Sequence, residues 1–330
     1  MRMKRALPAV FLALAMAPGT FVRTDLPERD VRSPIEFRAL SIDPLTAGPL
    51  QLESAWEIVS TNSLAGGFSS LVQRPDGTFL SASDSGRLIN FARPDSVVAP
   101  IRLQPFLATR KDNKLEVDVE SLAIDPRTGE VWAALEHSQE IIRVGSRLDR
   151  RASVRPREMA DWGKNAGPEA MVRLADGRFL VIEERPSGDG LHAALLFPGD
   201  PVAGGKPMAF RFQAREGFRP AEVAQLPDGR LAVLLRKLEW AFPLRFPVQI
   251  VIADPSEIAE EKVLRSTPLA LIDEPLPSDN YEGMAVIDEG DGTWTLWLIS
   301  DDNYAYYQRT LLLKFRWDQR ELPAQQKARR

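Results

Sequence analysis

The sequence predicts an all-β chain: a single β-propeller of five four-stranded blades, with a sixth blade left open. Two observations predict it. Five times an apolar run meets a tight turn containing glycine, and a second apolar run follows; the turn glycines stand 52, 48, 52 and 63 residues apart. Each unit also has room for two more strands, and four short strands per unit of about 40–50 residues mark a propeller.

The turns are Pro75-Asp76-Gly77, Pro126-Arg127-Thr128-Gly129, Ala175-Asp176-Gly177, Pro227-Asp228-Gly229 and Gly290-Asp291-Gly292. Asp-Gly supplies the positive φ angles of a short hairpin. The flanking runs are apolar on both strand faces, as in Val131-Trp132-Ala133-Ala134-Leu135, Leu231-Ala232-Val233-Leu234-Leu235 and Trp294-Thr295-Leu296-Trp297-Leu298-Ile299. Such runs suit strands buried between two layers. In the second unit Glu140–Val144 reads as a third strand and the residues near Val154 as a fourth. The last unit lacks a fourth strand after Thr310–Phe315. Ser54–Val59, ahead of the first unit, can supply it and close the ring, removing an open sheet edge. A sixth blade stays open because Phe37 to Leu52 can hold a degenerate hairpin. One stretch reads as helical, Pro255 to Leu264, capped by Asp254 or Ser256. Arg185 to Pro220 reads as a long Gly/Pro-rich loop.

The 330 residues, 44% apolar with a formal charge of −4, support one large domain and offer no basic stretch for nucleic acid. The absence of cysteine removes disulfides, thiolate metal sites and cysteine nucleophiles. With only His137 and His192, a zinc site built on two or three histidines has no support. Arg2, Lys4 and Arg5, the apolar run Ala6 to Ala17 and the small-x-small end Ala15-Met16-Ala17 read as an export signal. The expected organisation is a signal over 1–17, a linker over 18–34, the propeller over 35–318 and a solvated tail over 319–330. The chain is expected to be exported, periplasmic or secreted.

Aligned on the turn glycines, the repeats gather acids. Seven residues after the glycine stand Asp84, Glu136, Glu184 and Arg236, with Asp301 nine after in the fifth unit; seven to ten before it stand Phe68, Glu120, Glu169, Glu222 and Glu282. Both positions fall at the hairpin end opposite the turn. The ring therefore brings Asp84, Glu120, Glu136, Glu169, Glu184, Glu222, Glu282 and Asp301 to one opening, with Arg236 among them. So many carboxylates stay ionised together only with cations, calcium foremost, or else they protonate. Acids that cap backbone amides at strand ends are the structural alternative.

The segments Gly66-Gly67-Phe68-Ser69-Ser70-Leu71, Ser83-Asp84-Ser85-Gly86, Asp118-Val119-Glu120-Ser121-Leu122-Ala123, Asn165-Ala166-Gly167-Pro168-Glu169-Ala170-Met171, Asp279-Asn280-Tyr281-Glu282-Gly283-Met284-Ala285 and Ser300-Asp301-Asp302-Asn303 follow one another in the chain. In them the sequence resembles the phytase-like family described by "esterase-like activity of phytase", from about Trp56 to Phe315. The resemblance implies an exported bacterial propeller that hydrolyses phosphate or carboxylic esters with calcium. Carried onto this chain, it makes Asp84, Glu120, Glu136, Glu184, Asp301 and Asp302 the metal ligands. Glu282 and Glu169 become candidate general bases, and Arg236 would face an anionic group of the substrate. Phe68 and Arg236 depart from a regular acidic ring. The expected partner is a small anionic ester, with no nucleic acid and no membrane span beyond the signal segment, and the expected state is a monomer.

Three other readings remain open from sequence. A calcium-stabilised propeller can serve as a non-catalytic binding module, for which Tyr304, Tyr306 and Tyr307 are candidate contacts. A lactonase-like propeller would use Asn280 or Asn165 as a calcium ligand. A serine hydrolase is disfavoured, since Leu71 stands where a nucleophile elbow around Ser69 needs glycine. His137, beside Glu136, reads as a structural or solvated histidine.

Overall fold

The computed structural model describes residues 30–96, 99–107, 117–148, 151–163, 165–242, 244–318 and 320. The expected signal over 1–17, the start of the linker and the tail from 321 lie outside them. Three strands come first: β1 (Glu36–Ala39), β2 (Thr46–Ala47) and β3 (Leu50–Val59). Blade 1 follows with β4 (Val72–Gln73), β5 (Phe79–Ala82), β6 (Arg87–Phe91) and β7 (Arg102–Pro105), and blade 2 with β8 (Val119–Ile124), β9 (Val131–Leu135), β10 (Glu140–Val144) and β11 (Arg151–Val154). Blade 3 holds β12 (Pro168–Arg173), β13 (Phe179–Pro186), β14 (His192–Phe197) and β15 (Met208–Phe212). In blade 4, β16 (Arg219–Gln225), β17 (Leu231–Arg236) and β18 (Val248–Ala253) lead to β19 (Val263–Leu264), which crosses to blade 3, and β20 (Thr267–Ile272), which completes the sheet. Blade 5 has β21 (Tyr281–Asp288), β22 (Thr293–Ser300) and β23 (Leu311–Asp318).

The first strand of each blade, β4, β8, β12, β16 or β21, lies innermost, and these strands pack side by side around the axis. The ring closes as the sequence predicts. β3 pairs with β23 through Leu311↔Glu57 to Trp317↔Leu50 and becomes the fourth strand of blade 5. β1 and β2 add to the far edge of β3, so the Phe37–Leu52 region extends blade 5, and among the described residues the propeller has five blades and no sixth.

The apolar core divides into five clusters, one between each pair of neighbouring blades. Alternate residues of one strand feed different clusters. In β17, Ala232 and Leu234 face blade 5, while Leu231, Val233 and Leu235 face blade 3. In β22, Leu296 and Leu298 face blade 4, and Trp297 and Ile299 face blade 1. The period-2 geometry of a strand sends successive side chains to opposite faces, and both faces are dry here. That is the physical origin of the unbroken apolar runs.

Two expectations need correction. Pro255–Leu264 is not a helix. Only Pro255–Glu257 form one 3-10 turn, with the Asp254 carboxylate accepting from Ser256 N at 2.9 Å. Glu261 then takes a positive φ of 57°, which breaks a helical path, and Val263–Leu264 align with the edge of β15. The stretch Arg185–Pro220 is not a loop either. It contains β14 and β15, the outer half of blade 3, and no Gly or Pro falls within either strand.

Candidate functional site

At the end opposite the Gly turns, the blades repeat one hydrogen bond. Asp84 N donates to Gly67 O at 2.9 Å, Glu136 N to Asp118 O at 3.0 Å, Glu184 N to Gly167 O at 3.2 Å and Asp301 N to Asn280 O at 2.9 Å. In blade 4, Arg236 pairs with Arg219 in the same place. One residue further, the inner strands of blades 2, 3, 4 and 5 shift register, leaving Glu120, Glu169, Ala221 and Glu282 as the extra residues. A bulge re-aims its side chain, and here it sets three glutamates at the channel mouth.

This register corrects the alignment by turn glycines. Phe68 is equivalent to Val119, Pro168, Pro220 and Tyr281, not to the glutamates, and it is fully buried between blades 5 and 1. Glu222 lies one residue beyond its bulge, level with Ser121, Ala170 and Gly283. It is therefore not part of the mouth. Its Oε1 accepts from Ser121 Oγ of blade 2 and from Val223 N, both at 3.0 Å, and burial pushes its carboxyl well above the usual range. Ser121 Oγ in turn accepts from Met171 N at 3.0 Å. Glu222 is a hydrogen-bonded cross-link beneath the mouth, and glycine counting missed this because the hairpins differ in length.

The mouth itself centres on Arg236. Its Nη1 lies 2.9 Å from Glu282 Oε1 and its Nη2 3.0 Å from Glu184 Oε1 and 3.9 Å from Glu169 Oε2. Asn280 Nδ2 donates to Glu282 Oε1 at 2.9 Å, and Arg219 Nη1 adds a contact to Glu184 Oε2 at 3.4 Å. Burial alone would lower the Arg236 guanidinium, but Glu282, Glu169 and Glu184 around it hold its pKa above the normal value. Arg236 is thus an organiser of carboxylates, ion-paired on both terminal nitrogens.

One guanidinium does not neutralise the ring. Burial, then neighbouring Glu169 and Asp118, drive the Glu120 carboxyl well up, and burial drives Glu169 the same way against Arg236. Burial also raises Glu282 against Arg236, and burial with Glu282 and Asp84 raises Asp301. Glu136 is pushed up to about 7, by burial first and Asp118 next. Carboxylate oxygens of Glu120, Glu136 and Glu169 lie within 4.8 Å of one another, close enough for one ion to bridge them. A donor set of oxygens alone, under mutual repulsion, fits a hard divalent cation.

The other predicted ligands are less convergent. Asp302 has both oxygens engaged: Oδ1 accepts from Gly67 N and Tyr304 N, and Oδ2 from Thr310 Oγ1, each at 3.0 Å. Asp301 caps Asn303 N. These caps hold Asn303 and Tyr304 at positive φ, 48° and 51°. Tyr304 then lies over Gly67, where a Cβ would stand 2.8 Å from its ring and 2.4 Å from Asp84 Oδ1. Gly67 is required there by space as well as by its φ of 67°. Ser69 is no nucleophile: buried, it donates to Val119 O at 2.6 Å and ties blade 1 to blade 2. Sequence reasoning missed Asp118, which stands two residues before the blade 2 bulge residue Glu120 and is equivalent to Asn280.

A pH dependence follows from the raised carboxyls. A carboxyl whose folded pKa exceeds its unfolded value favours the fold while protonated, and that contribution is lost as it ionises. For Glu136 the loss runs from the ordinary carboxyl value of 4.5 to about 7. Metal-free protein is therefore expected to melt at a lower temperature at pH 7.5 than at pH 5. Excess calcium is expected to flatten the slope, which melting curves across this range with chelator and with calcium will read.

Among the described residues no helix is long and apolar enough to cross a membrane. A comparison with curated protein sequences finds no match. Solved structures similar to this chain include hydrazine synthase of Kuenenia stuttgartiensis, 14% identical with a TM-score of 0.41, covering 72% of this chain and 57% of that one. This chain thus spans little more than half of the hydrazine synthase chain. The PQQ-bound aldose sugar dehydrogenase of Streptomyces coelicolor is 12% identical, with a TM-score of 0.46, covering 86% of this chain and 100% of that one. The Cps50 (Swd1) β-propeller domain of Myceliophteria thermophila is 12% identical, with a TM-score of 0.38, covering 84% and 98%. The family model that matches is phytase-like, described as "Esterase-like activity of phytase", over residues 63–304, which contain every mouth residue described above. On that match, over well more than half its length, the chain belongs to the phytase-like family.

Proposed function

We propose that this chain is an exported hydrolase of phosphate or carboxylic esters that uses calcium held at the channel mouth. The observation that carries the reading is the convergence of Glu120, Glu136 and Glu169 from two neighbouring blades into one all-oxygen cluster. Those three residues would hold the ion, with Asp84, Glu184 and Asp301 around them. Bound calcium would supply positive charge to anionic oxygens of the ester and its transition state.

The remaining work falls to side chains of this protein. Glu282 is the general base. Its two close contacts, from Asn280 and Arg236, both fall on Oε1, which fixes the carboxylate and leaves Oε2 to accept a proton from water. Burial raises its pKa towards the working range of a base. Arg236 fixes Glu282 and Glu184 and places a cation beside the scissile group. A substitution of Glu282 by Gln is expected to lower kcat by about 10²–10⁴ while leaving calcium binding in place. Steady-state assays on aryl phosphate and aryl carboxylate esters, with calcium and with chelator, test this. Turnover unchanged by Glu282→Gln or by chelator would count against it.

One observation favours a second reading. Trp240, Phe242, Tyr306 and Tyr307 are exposed on the loops that follow Arg236 and Asp302, on the same face as the mouth. A non-catalytic propeller would use such a rim to bind a partner across a calcium-stabilised centre.

A further inference from the structure

We propose that Asp118, Glu136 and His137 form a second metal site, for a first-row transition ion with zinc foremost, beside the all-oxygen cluster and joined to it through Glu136. The inference stands whether or not calcium occupies that cluster.

The donor geometry comes first. His137 Nδ1 lies 3.2 Å from Asp118 Oδ2 and 3.3 Å from Glu136 Oε2. Donors bound to zinc at 2.0–2.2 Å and tetrahedral angles stand about 3.3–3.6 Å apart. A plain ion pair would look different. A proton on Nδ1 would aim at one of the two oxygens, yet neither lies where a hydrogen bond from this nitrogen forms, although Nδ1 is sealed from solvent.

A second observation comes from the same turn. Gln139 is over nine-tenths buried, and its Oε1 has no hydrogen-bond partner among the described residues. Its Nε2 is fixed by donation to Gly163 O at 2.9 Å, so the amide is not simply rotated wrongly. Oε1 lies 3.0 Å from the point where a Cβ on Gly167 would stand, in the same turn region as the Glu136 main chain. Ser138 Oγ, between His137 and Gln139, is also buried without a partner. Buried polar atoms are normally satisfied, so orphans on three successive residues beside two carboxylates mark a place for an ion and its water.

The choice of ion follows from donor chemistry. Calcium prefers oxygen donors at 2.3–2.6 Å, whereas imidazole with carboxylates suits zinc and its neighbours. Asp118 stands two residues before Glu120 on the same inner strand, and its main-chain carbonyl accepts from Glu136 N, so one strand pair serves both sites.

The test uses the full chain, free of any histidine tag, in excess calcium. Zinc is titrated by calorimetry and the bound ion is examined by X-ray absorption; cobalt(II) absorption gives an independent readout. One zinc with one imidazole in its shell is expected. His137→Gln is expected to weaken zinc at least about tenfold with an unchanged circular dichroism spectrum. Glu120→Gln, which strips the neighbouring cluster, is expected to retain it. Should His137→Gln fail to fold, Asp118→Asn carries the same expectation. No zinc uptake by the unmodified chain, a zinc shell without imidazole, or equal affinity in a folded His137→Gln protein would overturn the proposal and leave His137 as an ion-pair partner only.

Discussion

Replacing Arg236 by methionine lowers the stability of the metal-free protein by about 3–5 kcal/mol, and calcium restores much of the loss. Arg236 lies within 3.0 Å of Glu282 and Glu184 and 3.9 Å of Glu169, all three carboxylates buried. Arg236 is itself part-exposed, but removing it leaves three buried carboxylates without their cation, and the penalty of that uncompensated buried charge exceeds the Coulombic value of the pairs. Methionine keeps the volume and drops the charge, so the effect reads electrostatics and not a cavity. Calcium offsets it because the same carboxylates then have another cation to face, and a ligand selective for the native state adds its binding free energy to stability. Urea unfolding with chelator and with millimolar calcium measures both parts. A variant as stable as the parent in chelator, or one that calcium does not rescue, would contradict this account of the mouth.

Trp297→Ala costs a similar amount, about 3–5 kcal/mol, and calcium does not restore it. Trp297 is fully buried on β22 where blade 5 meets blade 1. It stacks on Trp56 of β3 at 5.8 Å and 11°, and it packs on Phe79 of blade 1 at 5.1 Å. Its Nε1 donates to Thr295 Oγ1 at 3.1 Å. One side chain therefore joins the closing strand, the last blade and the first. Truncation removes apolar burial and opens a cavity at the seam of the ring. The two variants form a pair: one loss is electrostatic and relieved by calcium, the other is packing and is not. The same unfolding experiments separate them.

Much of the fold was legible because the chain repeats. Asp-Gly turns and two-faced apolar runs report local geometry directly, and they located the first two strands of every blade. The closing role of Ser54–Val59 followed from a missing edge partner. Outer strands were harder to read. The run His192-Ala193-Ala194-Leu195-Leu196-Phe197 was visible, but Gly188, Gly190 and the prolines on either side made the region look like one loop. At Pro255–Leu264 a capped proline resembled a helix start, and only pairing with β15, distant in sequence, decided otherwise. The acids at strand ends were found by counting, but counting from a turn does not track a bulge. It put Glu222 at the mouth and paired Phe68 with the glutamates, each one residue out of register. Asp118 and His137 escaped for another reason. Neither recurs from blade to blade, so no repeat drew attention to them, and their meeting depends on the tight turn at residues 136–139.

The central claim is that the channel mouth is a cation site made of Glu120, Glu136 and Glu169. Calcium calorimetry on the full chain and on Glu120→Gln with Glu169→Gln tests it most directly. The account predicts saturable calcium binding with a raised melting temperature in the parent, and loss of that binding in a folded double variant. No binding at millimolar calcium, or equal affinity in the two proteins, would contradict it and leave the acids as protonated caps of the inner strands.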